Sequence, residues 1–199
     1  MTTTPVVGVL ALQGAFREHR RAFERRGARV VEVRKPAHLD GIGGLVIPGG
    51  ESTTMAKLMR AYGLDQAIPA FHAAGGAVWG TCAGAIAVAR DIEGHPDQPR
   101  LGLLDLGVAR NAYGRQVASF EADLDVDGLD APFHGVFIRA PRIVRVGSGV
   151  ATLASFDGDP VAVLGDRVLA TVFHPELAGD DALHQLFLER VCSVELAPH

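Results

Sequence analysis

Ala77-Val78-Trp79-Gly80-Thr81-Cys82-Ala83-Gly84-Ala85-Ile86-Ala87-Val88-Ala89 is the stretch on which the fold turns. Ala77 to Trp79 reads as a short buried strand, Ala85 to Ala89 as a small-residue helical run, and Gly80 to Gly84 as the sharp connection between them. Such a turn puts Cys82 in a strained backbone conformation, and glycine two positions before and after it relieves crowding where chain segments approach. The turn also sets the thiol at a helix N-terminus, whose partial positive charge favours thiolate. The backbone N–H of Ala83 then points towards any oxyanion formed by attack of that sulfur. An isolated G-x-C-x-G equally suits a buried structural cysteine in a Gly/Ala-rich contact, so the rest of the chain has to decide.

Upstream, short apolar runs alternate with amphipathic stretches, the pattern of a parallel sheet covered by helices. Strands are predicted at Val6 to Leu12, Arg29 to Val33 and Gly44 to Ile47, with helices over Phe16 to Arg26, Thr53 to Tyr62 and Leu64 to Ala74. Ser52 or Thr53 is the expected cap of the second helix. After Ala89, Gly, Pro and Asp become frequent. Strand-like pieces then follow at Gln116 to Leu124, Gly135 to Ile138, Ile143 to Val146, Val150 to Ser155, Val161 to Leu164 and Val168 to Phe173. Their spacing predicts antiparallel strands added to the sheet, with Asp157-Gly158 as a hairpin turn. Ala182 to Val194 closes the chain as a helix with Leu183, Leu186, Phe187, Val191 and Val194 on one face. The expected fold is one α/β domain over residues 1–199, with flexible ends at 1–5 and 195–199.

With 199 residues, 48% of them hydrophobic, the chain can bury a large core. Its net charge of -4 argues against a polyanion binder, and the basic stretch Arg17 to Arg29 interleaves Glu18 and Glu24 as the solvated face of a helix. The first apolar run is too short to span a bilayer and lacks a signal-peptide pattern. The two cysteines, Cys82 and Cys192, form no disulfide framework. These features predict a cytoplasmic protein that binds neither membrane nor nucleic acid.

A thiolate at Cys82 needs a base to take and return a proton. Of the eight histidines, His174 in Phe173-His174-Pro175-Glu176 suits best, because it directly follows an apolar strand. Glu176 can orient its imidazole, completing a triad. Pro48-Gly49-Gly50 after the third strand brings bare backbone close to something, and a Gly50 N–H could serve an oxyanion from the side opposite Ala83. The histidines show no metal-ligand spacing and Gly8 to Gly14 is not a dinucleotide fingerprint, so neither metal nor cofactor is expected.

With these parts in hand, the chain resembles the class I, triad-type glutamine amidotransferases, and among them the glutaminases that serve pyridoxal 5'-phosphate synthesis. The blocks that carry the resemblance are Val9-Leu10-Ala11-Leu12-Gln13-Gly14-Ala15, Pro48-Gly49-Gly50-Glu51-Ser52-Thr53-Thr54-Met55 and Gly80-Thr81-Cys82-Ala83-Gly84. Further along come Arg110-Asn111-Ala112-Tyr113-Gly114-Arg115-Gln116, Ser119-Phe120-Glu121-Ala122-Asp123, Phe137-Ile138-Arg139-Ala140-Pro141 and Phe173-His174-Pro175-Glu176-Leu177. The resemblance implies a flavodoxin-like three-layer fold with a mixed, mainly parallel sheet. It implies Cys82 as nucleophile, His174 as base and Glu176 as its partner. L-glutamine would be held by Gly49, Gly50, Glu51, Ser52, Arg110, Ile138 and Arg139, with Gly50 and Ala83 at the oxyanion. Gln13 would lie near the site and a partner interface. The implied partner is a pyridoxal 5'-phosphate synthase subunit in a ring-shaped core that receives the ammonia and organises the oxyanion site. Two other readings stay open: a glutaminase feeding a different synthase, such as that for imidazole glycerol phosphate, and a regulatory subunit without turnover.

Overall fold

The computed structural model describes residues 4–110 and 119–192. Asn111 to Gln116 of the Arg-Asn block, residues 1–3 of the expected lead 1–5, the expected tail 195–199, and Val194 lie outside the described residues. The strands are β1 (Val6–Leu10), β2 (Arg29–Val33), β3 (Gly44–Ile47), β4 (Ala77–Thr81), β5 (Ala89–Glu93) and β6 (Leu104–Ala109). They continue with β7 (Ser119–Leu124), β8 (Phe133–Ile138), β9 (Arg142–Val146), β10 (Ala151–Phe156), β11 (Asp159–Gly165) and β12 (Val168–Thr171). The helices are α1 (Phe16–Arg25), α2 (Ser52–Ala61), α3 (Leu64–Ala73), α4 (Ala83–Val88) and α5 (Ala182–Leu186).

Seven strands form the central sheet in the order β10-β11-β12-β4-β3-β1-β2. From β2 to β12 every pairing is parallel, and β11 and β10 extend that edge antiparallel. β3, β4 and β12 are buried at every residue, as strands covered on both faces must be. That burial explains why they read as unbroken apolar runs rather than alternating ones. In the β10–β11 hairpin, Asp157 (φ 50°) and Gly158 (φ 83°) both take positive φ, the geometry of a two-residue type I′ turn.

Several sequence-based boundaries shift. The additions do not all join the central sheet: among the described residues β5, β6 and β9 make a separate three-stranded sheet, and β7 and β8 a two-stranded one. The helical run expected over Ala85 to Ala89 is α4, but β5 and β6, which follow it, carry no strand expectation from the sequence. The closing segment is not one α-helix; α5 passes at Phe187 into π-helical turns that end at Cys192. Leu183, Leu186, Phe187 and Val191 are nonetheless all buried, as the apolar face requires.

The core groups Trp79 with Phe23 of α1 and Phe187, their ring centroids 6.5 and 5.4 Å from the indole. The indole Nε1–H donates to Thr171 Oγ1 at 3.1 Å, so the bulky ring is buried with its polar atom satisfied. The basic face of α1 is solvated and paired as expected, with Arg20 on Glu24 and Arg25 on Asp181, each at 2.7 Å. Among the described residues no helix is long and apolar enough to cross a membrane.

Candidate active site

Parallel strands that lie side by side deliver their carboxyl ends to one place, and ligands in open α/β sheets bind there. β3 runs into Gly49-Gly50, β4 into Cys82, and β12 towards His174, and these are three consecutive strands of the sheet. β1, the next strand over, leads to Gln13 and Gly14.

Cys82 holds φ 50° and ψ -106°, a sparsely populated conformation for a residue with a side chain. It is held there from both sides. Its N–H donates to Thr171 O at 2.8 Å, and its carbonyl accepts from Ala85 N at 3.1 Å as α4 begins. The flanking glycines are steric necessities: a Cβ on Gly80 would collide with the Gly84 carbonyl, and one on Gly84 with the Ile47 carbonyl of β3. Cys82 as a whole is 7% exposed, with Sγ 3.9 Å from Ile138 O at the end of β8.

His174 is fixed by its backbone N–H, which donates to Val136 O of β8 at 2.8 Å. Its Nδ1 lies 2.8 Å from Glu176 Oε1, and the Glu176 side chain is fully buried. Burial opposes a charge on the His174 ring, but hydrogen bonds to Cys82 and Glu176 outweigh it and raise its pKa to about 10. Glu176 is pulled the other way. Burial favours its neutral form, yet the histidines on either side, His19 and His174, hold its pKa well below the carboxylate range. The charged forms of His174 and Glu176 thus stabilise one another.

A cavity of about 270 Å³ opens above the thiol, lined by Gly50, Glu51, Ser52, Cys82, Ala83, Ile86, Arg110, Ile138, Arg139, Pro141 and His174. Glu51 caps α2, correcting the expectation of Ser52 or Thr53: its carboxylate accepts from Thr53 N at 2.9 Å, Thr54 N at 2.6 Å and Thr54 Oγ1 at 2.6 Å. These bonds lower its pKa to about 2, so the rim carries a fixed negative charge. Arg110 lies 3.9 Å from that carboxylate and donates to Gln98, which in turn donates to Ser52 Oγ at 3.2 Å.

Gly49 stands apart from the other residues expected to bind substrate, because it does not line the cavity. It lies beneath it, where a Cβ would meet the His174 ring at 2.5 Å. Gln13 also sits outside the lining and braces the turn, accepting from Glu51 N at 3.2 Å with its amide against Gly50 (φ 154°).

The profile of the SNO glutamine amidotransferase family matches residues 9–193. The chain belongs to that family. It is 59% identical over 186 residues to the pyridoxal 5'-phosphate synthase subunit PdxT of Deinococcus radiodurans, covering 92% of this chain and 95% of that one. To a PdxT of Thermus thermophilus it is 58% identical over 185 residues, covering 92% and 96%. A solved structure described as a glutamine amidotransferase superposes with a TM-score of 0.89 at 55% identity, covering 92% of this chain and 97% of that one. The fold is therefore flavodoxin-like, as the strand order already indicates.

In this SNO-family chain, sequence reasoning missed five residues at or behind the site. Ile86 and Pro141 line the cavity, and each had a signal of sorts: Ile86 follows the elbow by one helical turn and Pro141 closes the Phe-Ile-Arg-Ala-Pro block. Gln98 had none, since it lies in an irregular stretch and reaches Arg110 and Ser52 only through the fold. His19 and His184, behind Glu176, had none either.

Proposed function

We propose that the chain is the glutaminase of a pyridoxal 5'-phosphate synthase, hydrolysing L-glutamine to L-glutamate and ammonia. The observation that carries this reading is the line Cys82, His174, Glu176 at the ends of adjacent strands, beneath a cavity whose rim holds both Glu51 and two arginines. Identity of 58–59% over most of the chain with proteins named as PdxT supports the synthase assignment over the other glutaminases.

The proposed chemistry follows from the roles these groups can fill. The Cys82 thiolate attacks the side-chain amide carbon, and a carbon–sulfur bond forms as the carbonyl becomes an oxyanion facing the N–H groups of Gly50 and Ala83. The His174 imidazolium gives its proton to the leaving nitrogen, the carbon–nitrogen bond breaks, and ammonia departs from a glutamyl thioester. His174, now neutral, takes a proton from water as the water attacks the thioester. Glutamate leaves, and the thiolate–imidazolium pair is restored. Glu176 keeps the His174 Nδ1 proton on its own side, so that the other ring nitrogen serves the reaction. At the rim, charge matching sets Glu51 against the substrate ammonium and Arg110 and Arg139 against its carboxylate, with Ser52, Ile138 and the Gly49-Gly50 turn completing the cradle.

Ammonia is useful to a synthase only if it is delivered before it is protonated, so the reading includes a synthase partner in a ring-shaped core, docked near Gln13. A cytoplasmic location belongs with it, since Cys82 has to stay a free thiol. One domain is the corresponding organisation, because a single buried cluster runs from Val7 to Val191. The test is glutamine-dependent ammonia release by the chain mixed with the synthase subunit. Wild type is expected to turn over and Cys82→Ala to fall to background, with a glutamine-like diazo-ketone labelling Cys82. Ammonia release that persists in Cys82→Ala, or labelling at Cys192, would refute it.

A further inference from the structure

The carboxylate of Glu176 has two oxygens, and a triad accounts for one. Oε1 meets His174. Oε2 lies in a fully buried space where the group that faces it is His19 of α1, whose Nε2 is 3.3 Å away. The same Nε2 is 3.2 Å from Thr81 Oγ1, the residue before Cys82. On the far side of the ring, His19 Nδ1 is 2.9 Å from His184 Nε2 of α5. Both histidines are 0% exposed. They are wedged among rings, with His184 5.1 Å from Trp79 and 4.8 Å from Phe23, centroid to centroid. Burying two imidazoles end to end is costly in a core that could have been apolar.

We infer that His19 is a positioning residue for the hydrolysis, one that holds Glu176 from the side opposite His174 and is itself oriented by His184. The inference rests on the glutaminase reading of the site.

The hydrogen-bond directions follow from what each nitrogen can find. Burial above all holds His184 neutral, and its Nδ1 has no partner. An orphaned lone pair costs less than an orphaned N–H, so the His184 proton belongs on Nε2 and donates to His19 Nδ1. His19 Nε2 then faces Glu176 Oε2 at 3.3 Å and the Thr81 hydroxyl at 3.2 Å. The charged groups that act on this pair besides Glu176 are Arg25 and Arg26 at the end of α1, and Arg25 is bound to Asp181. A chain of contacts thus runs from His184 through His19 to Glu176: Oε2 has no hydrogen-bond partner of its own and is faced by His19 Nε2 at 3.3 Å, while Oε1 accepts from His174. A carboxylate bounded on both sides is restrained from rotating, which fixes the His174 ring bonded to its Oε1. Outer partners of this kind typically matter about ten- to a hundredfold in activity.

The experiment compares His19→Leu and His19→Gln with wild type in the complex with the synthase subunit, following ammonia release against pH. Leucine removes both ring nitrogens, whereas the glutamine amide can still present an N–H where Nε2 stood. His19→Leu is expected to lose about ten- to a hundredfold in kcat with KM for glutamine nearly unchanged. Its kcat/KM profile should also have an acid limb moved to higher pH, because Glu176 becomes easier to protonate. His19→Gln should recover most of both effects. Activity near wild type in His19→Leu would overturn the proposal, and so would equal losses in the two variants with the acid limb unmoved, which is what packing alone would give. Should His19→Leu fail to fold, His184→Leu replaces it, with the same shift of the limb expected and an unmoved limb overturning the idea. A wild-type complex without ammonia release would count against the glutaminase reading instead. His19 is then judged on the Nδ1 proton of His174 in 15N-labelled chain: loss in His19→Leu with retention in His19→Gln supports the role, and retention in both overturns it.

Discussion

At the scale of single residues, the site is a set of charges that depend on one another. His174 has its pKa raised from an ordinary 6.5 to about 10, so its contribution to stability is complete below about pH 6.5 and fades as the pH rises towards 10. Glu176 has its pKa lowered from 4.5, so its contribution is present above that value and is lost as the pH falls. The stability difference between wild type and His174→Gln should therefore be widest between about pH 4.5 and 6.5 and should close by about pH 10. Urea unfolding of both proteins across that range measures it, and a gap independent of pH would mean that His174 is uncharged in the folded state. Cys192 is set apart from the proposed nucleophile, since burial pushes its thiol up to about 12 and leaves it inert.

Elements set where those residues stand. α2 starts at the rim of the cavity because Glu51 caps it, so a single carboxylate serves both the helix and the charge of the pocket. Glu51→Ala is expected to cost about 1 kcal/mol of stability, the usual worth of an N-cap, and to raise KM for glutamine as well. Denaturant unfolding and steady-state kinetics read the two effects separately, and a change in one without the other would divide the roles. The cap is ionised at neutral pH and loses its acceptor charge only as the pH falls towards 2. The β7–β8 hairpin has an analogous positioning role. It supplies the Val136 carbonyl that pins His174 and the Ile138 carbonyl beside the Cys82 thiol, although it pairs with no strand of the central sheet.

For the whole molecule, Trp79 joins the sheet to the layer formed by α1, α5 and the π-helical end. It touches Phe23, His184 and Phe187 and is fully buried. Trp79→Ala should cost about 3–5 kcal/mol, a large share of the 5–15 kcal/mol that holds a typical domain together. Trp79→Phe should cost less, since it keeps the ring contacts and forfeits the bond to Thr171. Urea midpoints at constant m measure both, and a loss under about 1 kcal/mol in the alanine variant would show that this junction collapses without a cavity.

What the sequence by itself determined is the part that depends on local chemistry. The elbow around Cys82, the His-Pro-Glu after an apolar strand, the Asp157-Gly158 turn and the buried parallel strands are all legible, because strain, turn geometry and two-sided burial leave marks within a few residues. β5, β6 and the passage of the closing helix into π-helical turns were not legible, since β5 and β6 take their places through pairing with each other and with β9 and the apolar face of the closing segment suits either helical form. Tertiary structure alone decided which strands became neighbours, and so set Gly50, Cys82 and His174 around one cavity. It also decided that Gln98 would tie Arg110 to Ser52, and that His19 and His184, 165 positions apart in the chain, would meet behind Glu176. Contacts between residues so far apart follow from the order of strands and the packing of layers, and no local pattern in the chain encodes them.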